Sequence, residues 1–368
     1  MQRLLPLALL AALLGGGWMY LGGPNSKNLG GLLEAGRRAV EQSTQQQGPV
    51  YGGPSYPSPA QSPSGPAYVP SPAPQGATIK IATYNIEKFG DAKAAKPYVM
   101  RVLGAIVQNL DLIAIQEVTT KDEYFIDRFL EKYVNNNGRR YARAVGPRLG
   151  DSTYKEQYAF IYDTNTIEIN PQLNYTMRDS SNLMHREPQV TMFRARTNPP
   201  DAGFTFVLVN VHTDPDLVER ELSVLAGAYQ QVMRTSVISG VAEDDVILLG
   251  DLNTDVPAAS NYQRVTGARG LTPADLYGLG GLTYLYPVVR SEATNTAGTK
   301  LNDNILVHRG ATTEFTGRAG VIDVRSVWRL TAEQAEEVSD HLPVWAEFSV
   351  YESLTPGRIA NQPGAVAR

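Results

Sequence analysis

From residue 78 onward, apolar runs of strand length punctuate the chain. They are IKIATYN (79–85), DLIAIQEV (111–118), QYAFIY (157–162), QVTMFRA (189–195), FTFVLVNVH (204–212), DVILLGD (245–251), DNILV (303–307) and LPVWAEFSV (342–350). Most are apolar at successive positions, the pattern of strands covered on both faces. Between some of them apolar residues recur at three and four, over 99–110, over 123–134 and over a long segment, 217–238, opened by Asp214 and Pro215. Helices between some strands and short links between others predict an α/β (α+β) layered sandwich with mixed sheets. The pattern runs from residue 78 to 351 as one folded unit, leaving a polar tail, 352–368.

The amino-terminal part follows a different rule. Residues 4–22 carry no charge and follow Arg3, the order of a basic region and a membrane-directed apolar stretch, so 1–23 is expected to be a signal peptide or signal anchor. No A-x-A-like cleavage site closes it, which favours an uncleaved anchor. From Gln42 to Ile79 no Asp, Glu, Lys or Arg occurs, and nine prolines fall between Pro49 and Pro74. Such sequence cannot bury enough apolar area to offset ordering, so 24–77 reads as a disordered linker. The predicted location is exported, either anchored in the cell-envelope membrane through the amino terminus or secreted. No protein partner is predicted, and a monomer is the default.

Composition narrows the chemistry. The chain has 368 residues, enough for a sizeable core, and a formal charge of -4, so no global basic field draws polyanions. The absence of cysteine excludes disulfides, thiolate zinc sites and thiol nucleophiles. Only four histidines occur, His185, His212, His308 and His341.

Polar residues stand at the ends of the apolar strands: Asn85, Glu117, Asn210 with His212, Asp251 with Asn253, Asp303, and Asp340 with His341. One such residue is ordinarily a turn or cap. A joint set of carboxylates, amides and imidazoles marks a rim with a shared role, since each would otherwise be a costly polar group beside a core. The oxygen donors Glu117, Asn85, Asp251 and Asn253, without thiols, suit Mg²⁺, Mn²⁺ or Ca²⁺ rather than zinc.

In order along the chain, ATYNIEKFG, AIQEV, YKEQY, NVHTD, GDLNTD, NDNILV and SDHLPV resemble the endonuclease/exonuclease/phosphatase superfamily over residues 79–350. Within it, Tyr154-Lys155-Glu156 and Arg186-Glu187-Pro188 are most similar to the deoxyribonuclease I branch. The resemblance implies a four-layered sandwich, two central mixed sheets flanked by helices, with a metal-dependent phosphodiesterase site on one edge. It implies His212 and His341 as the acid/base pair, oriented by Glu156 and Asp303. Asp251 and Asn253 would hold phosphate, metal or the attacking water, and Glu117, Asn85, Asp251 and Asp340 would ligate Mg²⁺ or Mn²⁺, with Ca²⁺ as a further cofactor. Tyr154, Arg186 and Asn210 would serve the DNA sugar-phosphate chain, Asn210 by supporting the histidine two residues later.

The function so implied is a sequence-tolerant DNA endonuclease; the alternative is a membrane-proximal phosphoesterase acting on phospholipids or small phosphoesters. Three departures from the branch stand out. Thr119 replaces a groove-entering arginine, Asn304 replaces an arginine after Asp303, and the disulfide is absent. His185 and His308 are read as structural, and Pro257–Thr299 as containing a substrate-shaping insertion.

Overall fold

The computed structural model describes residues 77–150, 153–238, 241–253, 285–308 and 310–353. The expected leader, nearly all of the linker, residues 257–284 of the expected insertion and most of the tail lie outside these residues. Among the described residues no helix is long and apolar enough to cross a membrane.

In chain order the strands are β1 (Thr78–Phe89), β2 (Leu112–Val118), β3 (Tyr141–Val145), β4 (Gln157–Asp163), β5 (Ile167–Thr176), β6 (Gln189–Ala195), β7 (Thr205–His212), β8 (Val237–Ile238), β9 (Val241–Ala242), β10 (Val246–Asp251), β11 (Leu285–Pro287), β12 (Asp303–His308), β13 (Phe315–Val321) and β14 (Val344–Ser349). The helices are α1 (Asp91–Ala94), α2 (Pro97–Gln108), α3 (Phe125–Phe129), continued by a π turn over Leu130–Val134, α4 (Val218–Thr235), α5 (Val324–Trp328) and α6 (Ala332–Val338).

Two six-stranded sheets form, in the orders β13-β14-β1-β2-β4-β3 and β11-β12-β10-β7-β6-β5. Each has one parallel pair near its centre, β1 with β2 and β7 with β10, among antiparallel neighbours. The mixed-sheet expectation is met.

Strand alternation divides the apolar residues into three layers. On β2, Ile113 and Ile115 face α2, α3 and α6, while Leu112 and Ala114 face the other sheet. On β7, Phe206 and Leu208 point inward, and Val207, Val209 and Val211 pack under α4. Leu222, Leu225, Tyr229 and Val232 of α4, spaced at three and four, cover that outer face. Helix, sheet, sheet and helix make the four layers.

Pro97 at the first position starts α2, and a Thr331–Gln334 capping box starts α6. The segment 217–238 departs from its expected course: α4 stops at Thr235, and Val237–Ile238 pairs with Val241–Ala242. Residues 285–299, placed in the expected insertion, include the edge strand β11 and Asn295, which bridges to His341. That part belongs to the sheet and to the wall of the site.

Candidate active site

Followed outward along each strand, the inward-facing series changes from apolar to polar at one end of the sandwich. It runs Ile79, Ile81, Thr83, Asn85 on β1; Leu112, Ala114, Gln116 on β2; Phe206, Leu208, Asn210, His212 on β7; and Ile247, Leu249, Asp251 on β10. On β4 and β12, which run the other way, the series Tyr162, Phe160, Tyr158, Glu156 and Val307, Ile305, Asp303 reach the same end from their amino-terminal sides. The site is the polar cap of the inter-sheet core.

Beneath the cap the two sheets are joined by buried polar contacts. Gln116 Nε2 donates to Asn210 Oδ1 at 2.6 Å, and Asn210 Nδ2 donates to the Ile115 carbonyl at 3.3 Å. Asn210 is therefore under the histidine strand, with no exposed surface.

Above it, two imidazoles converge. His212 Nδ1 lies 2.8 Å from Glu156 Oε1, and His341 Nδ1 lies 2.8 Å from Asp303 Oδ2. Their Nε2 atoms face one carboxylate oxygen, Asp251 Oδ2, at 3.5 and 3.6 Å. Asn85 Nδ2 donates to that same oxygen and to Glu117 Oε1, each at 3.0 Å. The Asn85 oxygen accepts from the Glu87 N–H, and its Nδ2 bridges the two carboxylates.

The remaining side chains close the rim. Tyr154, 41% exposed, donates its hydroxyl to Glu117 Oε2 at 3.0 Å. The Asn253 N–H caps Asp251 Oδ1 at 2.9 Å, and its Nδ2 donates to the Thr213 carbonyl. Asp340 Oδ1 stands 3.8 Å from His341 Nε2. Arg186, only 6% exposed, is set into the wall: it donates to the His212 and Thr213 carbonyls and lies 3.5 Å from Glu156.

Several holding residues escaped the sequence reading. The Tyr158 hydroxyl accepts from the His212 N–H, and Thr294 donates to Asp303 Oδ2. Ser339 Oγ donates to the Asn85 carbonyl, and buried Lys93 donates to the Val338 carbonyl, fixing the loop before His341. Thr83 and Gln116 were legible as continuations of the inward series. His185 and His308 lie outside the cluster.

Backbone strain marks the same end. Glu117 has φ 62° and Asn253 φ 48°, left-handed values uncommon for residues with a Cβ. The pairing of β2 with β4 shifts register between Ile115 and Val118, which turns Glu117, next in the helix-facing series of Ile113 and Ile115, toward the rim.

Burial opposes ionisation of Glu117 and Asp251. Even so, His212, the Lys88 N–H, Asn85 and Tyr154 hold Glu117 below the ordinary range, and His341, His212 and Asn85 do so for Asp251. Burial also disfavours charged His212 and His341, but Glu156 and Asp251 raise the first, and Asp303 and Asp251 raise the second. Burial and Glu117 keep the Tyr154 phenol protonated, as a donor must be.

Carboxylate oxygens of Glu117 and Glu156 and a His212 ring nitrogen lie within 4.8 Å of one another, as do atoms of Asp251, Asp303 and His341. Glu156 Oε2, Asp303 Oδ1 and Asp340 Oδ1 are buried without a hydrogen-bond partner. Burial and the neighbouring Glu87 and Glu117 raise Asp340, against the pull of His341. An anionic, oxygen-rich rim with unmatched acceptors fits a hard divalent cation.

Residues 82–341 match the Endonuclease/Exonuclease/phosphatase family. Pig deoxyribonuclease-1-like 1 is 31% identical over 275 residues, 74% of this chain and 81% of its own length. Rat deoxyribonuclease gamma is 27% identical over 284 residues, 75% of this chain and 86% of its own. A solved endonuclease/exonuclease/phosphatase family protein from Bacteroides thetaiotaomicron superposes with a TM-score of 0.48 at 15% identity, over 77% of this chain and 98% of its own. With the family pattern spanning the strands that build the cap, from β1 to His341, the chain belongs to the endonuclease/exonuclease/phosphatase family.

Proposed function

We propose that this chain is a divalent-metal-dependent, sequence-tolerant DNA endonuclease. The observation that carries the reading is the pair of imidazoles, each with Nδ1 on its own buried carboxylate and both with Nε2 turned to Asp251. Relatives named deoxyribonucleases support DNA as the substrate.

In this reading a scissile phosphate sits over Asp251, between the two Nε2 atoms. One imidazole takes a proton from water as its oxygen attacks phosphorus. The bond from phosphorus to the leaving sugar oxygen breaks, and the other imidazole, protonated, gives that oxygen its proton. Glu156 and Asp303 fix each ring with Nδ1 protonated and stabilise the imidazolium. Glu117, Asp251 and Asp340 would hold Mg²⁺ or Mn²⁺, with Asn85 keeping the first two in place. When bound, the ion neutralises charge on the phosphoryl oxygens.

Tyr154 borders the rim where a sugar-phosphate chain would run, and Arg186 holds the wall beneath. Recognition then rests on the backbone, in keeping with Thr119 where the branch carries a groove-entering arginine. The domain organisation belongs to the same reading: leader 1–23, linker 24–77, catalytic domain 78–351 and tail 352–368, with the protein exported.

A substrate panel tests this. With Mg²⁺, the full chain should convert supercoiled plasmid to nicked circles, and should release neither phosphate from sugar phosphates nor head groups from phosphatidylinositol vesicles. Head-group or phosphate release with the plasmid left supercoiled would overturn the DNA assignment.

A further inference from the structure

At the end of the sandwich opposite the imidazoles lies a second group of acids. Asp245 precedes β10 whereas Asp251 ends it, so the two are separated by about 20 Å at ~3.3 Å per strand residue. A carboxylate oxygen from each of Asp245, Glu314 and Glu352 lies within 4.8 Å of the other two, and Glu243 and Asp244 approach Asp245 equally closely.

The group is short of positive partners. Asp245 and Glu314 are 2% and 3% exposed, and Asp245 Oδ1 and Glu314 Oε2 are buried with no hydrogen bond. The donors that reach these acids engage other oxygens. The Thr205 N–H and hydroxyl reach Glu352 Oε2, the Ser353 N–H and Thr313 hydroxyl reach Glu314 Oε1, and the Asp245 N–H reaches Glu243 Oε1. No described lysine or arginine is ion-paired with any of them. A buried carboxylate oxygen without a donor is costly, and two in one cluster of acids more so. Burial and the surrounding carboxylates push Asp245 up to about 9, and burial with Glu314 and Glu243 pushes Glu352 up to about 7, against the Thr205 donors. The group needs positive charge, supplied by protons or by a cation.

We propose that Asp245, Glu314 and Glu352, bordered by Glu243, bind a Ca²⁺ ion at this end of the sandwich. Donors that are all oxygen select a hard cation. Several carboxylates converging from separate segments suit the large, irregular shell of Ca²⁺ better than Mg²⁺, which keeps its waters in a strict octahedron. The buried Thr312 hydroxyl beside Asp245 offers one more oxygen. Such an ion clips together the start of β10, the approach to β13 and the segment after β14, which belong to different sheets. It is a structural site, independent of the reaction proposed above.

The test counts Ca²⁺ bound per chain by equilibrium dialysis. Chelator-stripped full-length protein is compared with Asp245→Asn and Glu314→Gln, with thermal melts alongside. Wild type should bind one Ca²⁺ more than either variant and gain melting temperature with Ca²⁺, while the variants lose that gain and keep Mg²⁺-dependent plasmid nicking. In chelator the variants should melt no lower than wild type, since a neutral amide relieves the repulsion. Sites near Glu117 and Asp251 are common to all three proteins and cancel in the comparison. If Asp245→Asn fails to fold, Glu352→Gln, at a partly exposed position, takes its place. An equal Ca²⁺ count in wild type and in Glu314→Gln or Glu352→Gln would overturn the site, leaving acids that share protons.

Discussion

His212 and His341 sit on different sheets or their approaches, yet both aim Nε2 at Asp251 while a carboxylate occupies each Nδ1. Side chains so placed act as a unit. Under the proposed chemistry His212→Ala or His341→Ala should each slow plasmid nicking on the order of a hundredfold or more, and the double variant should be little slower than the worse single one. Multiplying losses would mean independent roles. Glu156→Gln should act on the ring it orients: without the carboxylate the His212 pKa falls, so the rate–pH limb set by this imidazole moves to lower pH. A loss of rate with an unmoved profile would leave Glu156 a structural residue. The motif residues were legible at this scale because the chain writes them beside apolar strands. Tyr158, Thr294 and Lys93 were not, since each acts through a contact between segments that spacing along the chain does not display.

Among elements, β10 shows how tightly a strand can be fixed by one position. Gly250 has φ +146°, and a Cβ there would stand 1.9 Å from the Val211 carbonyl oxygen of the neighbouring β7. Gly250→Ala should therefore destabilise by at least about 2 kcal/mol, by strain and by separating the parallel pair that carries His212 and Asp251. Urea unfolding with an unchanged midpoint would contradict this. The central strands could be read from the sequence because they are apolar on both faces. β3, β5 and β13 could not, because their partly exposed residues break the run: β5 is exposed or half-exposed beyond Ile167, and β13 beyond Phe315. β11, only Leu285–Pro287, is too short to leave a periodic trace. The register shift that brings Glu117 to the rim is likewise a property of paired strands, invisible in either alone.

For the molecule as a whole, the four-layer arrangement places acids at both ends of the inter-sheet layer, and stability should follow their titration. In chelator, His212 and His341 hold protons more tightly when folded than when unfolded, so the folded protein binds more protons above the ordinary histidine pKa of ~6.5. Their contribution is complete below that value and is lost as pH rises through the folded one. The urea midpoint in chelator should thus be higher at about pH 6 than at about pH 8.5; a rise with pH would contradict the charge arrangement described. Nicking of supercoiled plasmid shows whether the polar cap of the core is a metal-dependent phosphodiesterase site acting on DNA. Full-length wild type and His212→Ala would be compared side by side, with Mg²⁺ and with chelator. Wild type should nick with Mg²⁺ alone and lose activity in chelator, and the variant should be slower on the order of a hundredfold or more. Equal nicking by the two proteins, or nicking undiminished by chelator, would contradict that role.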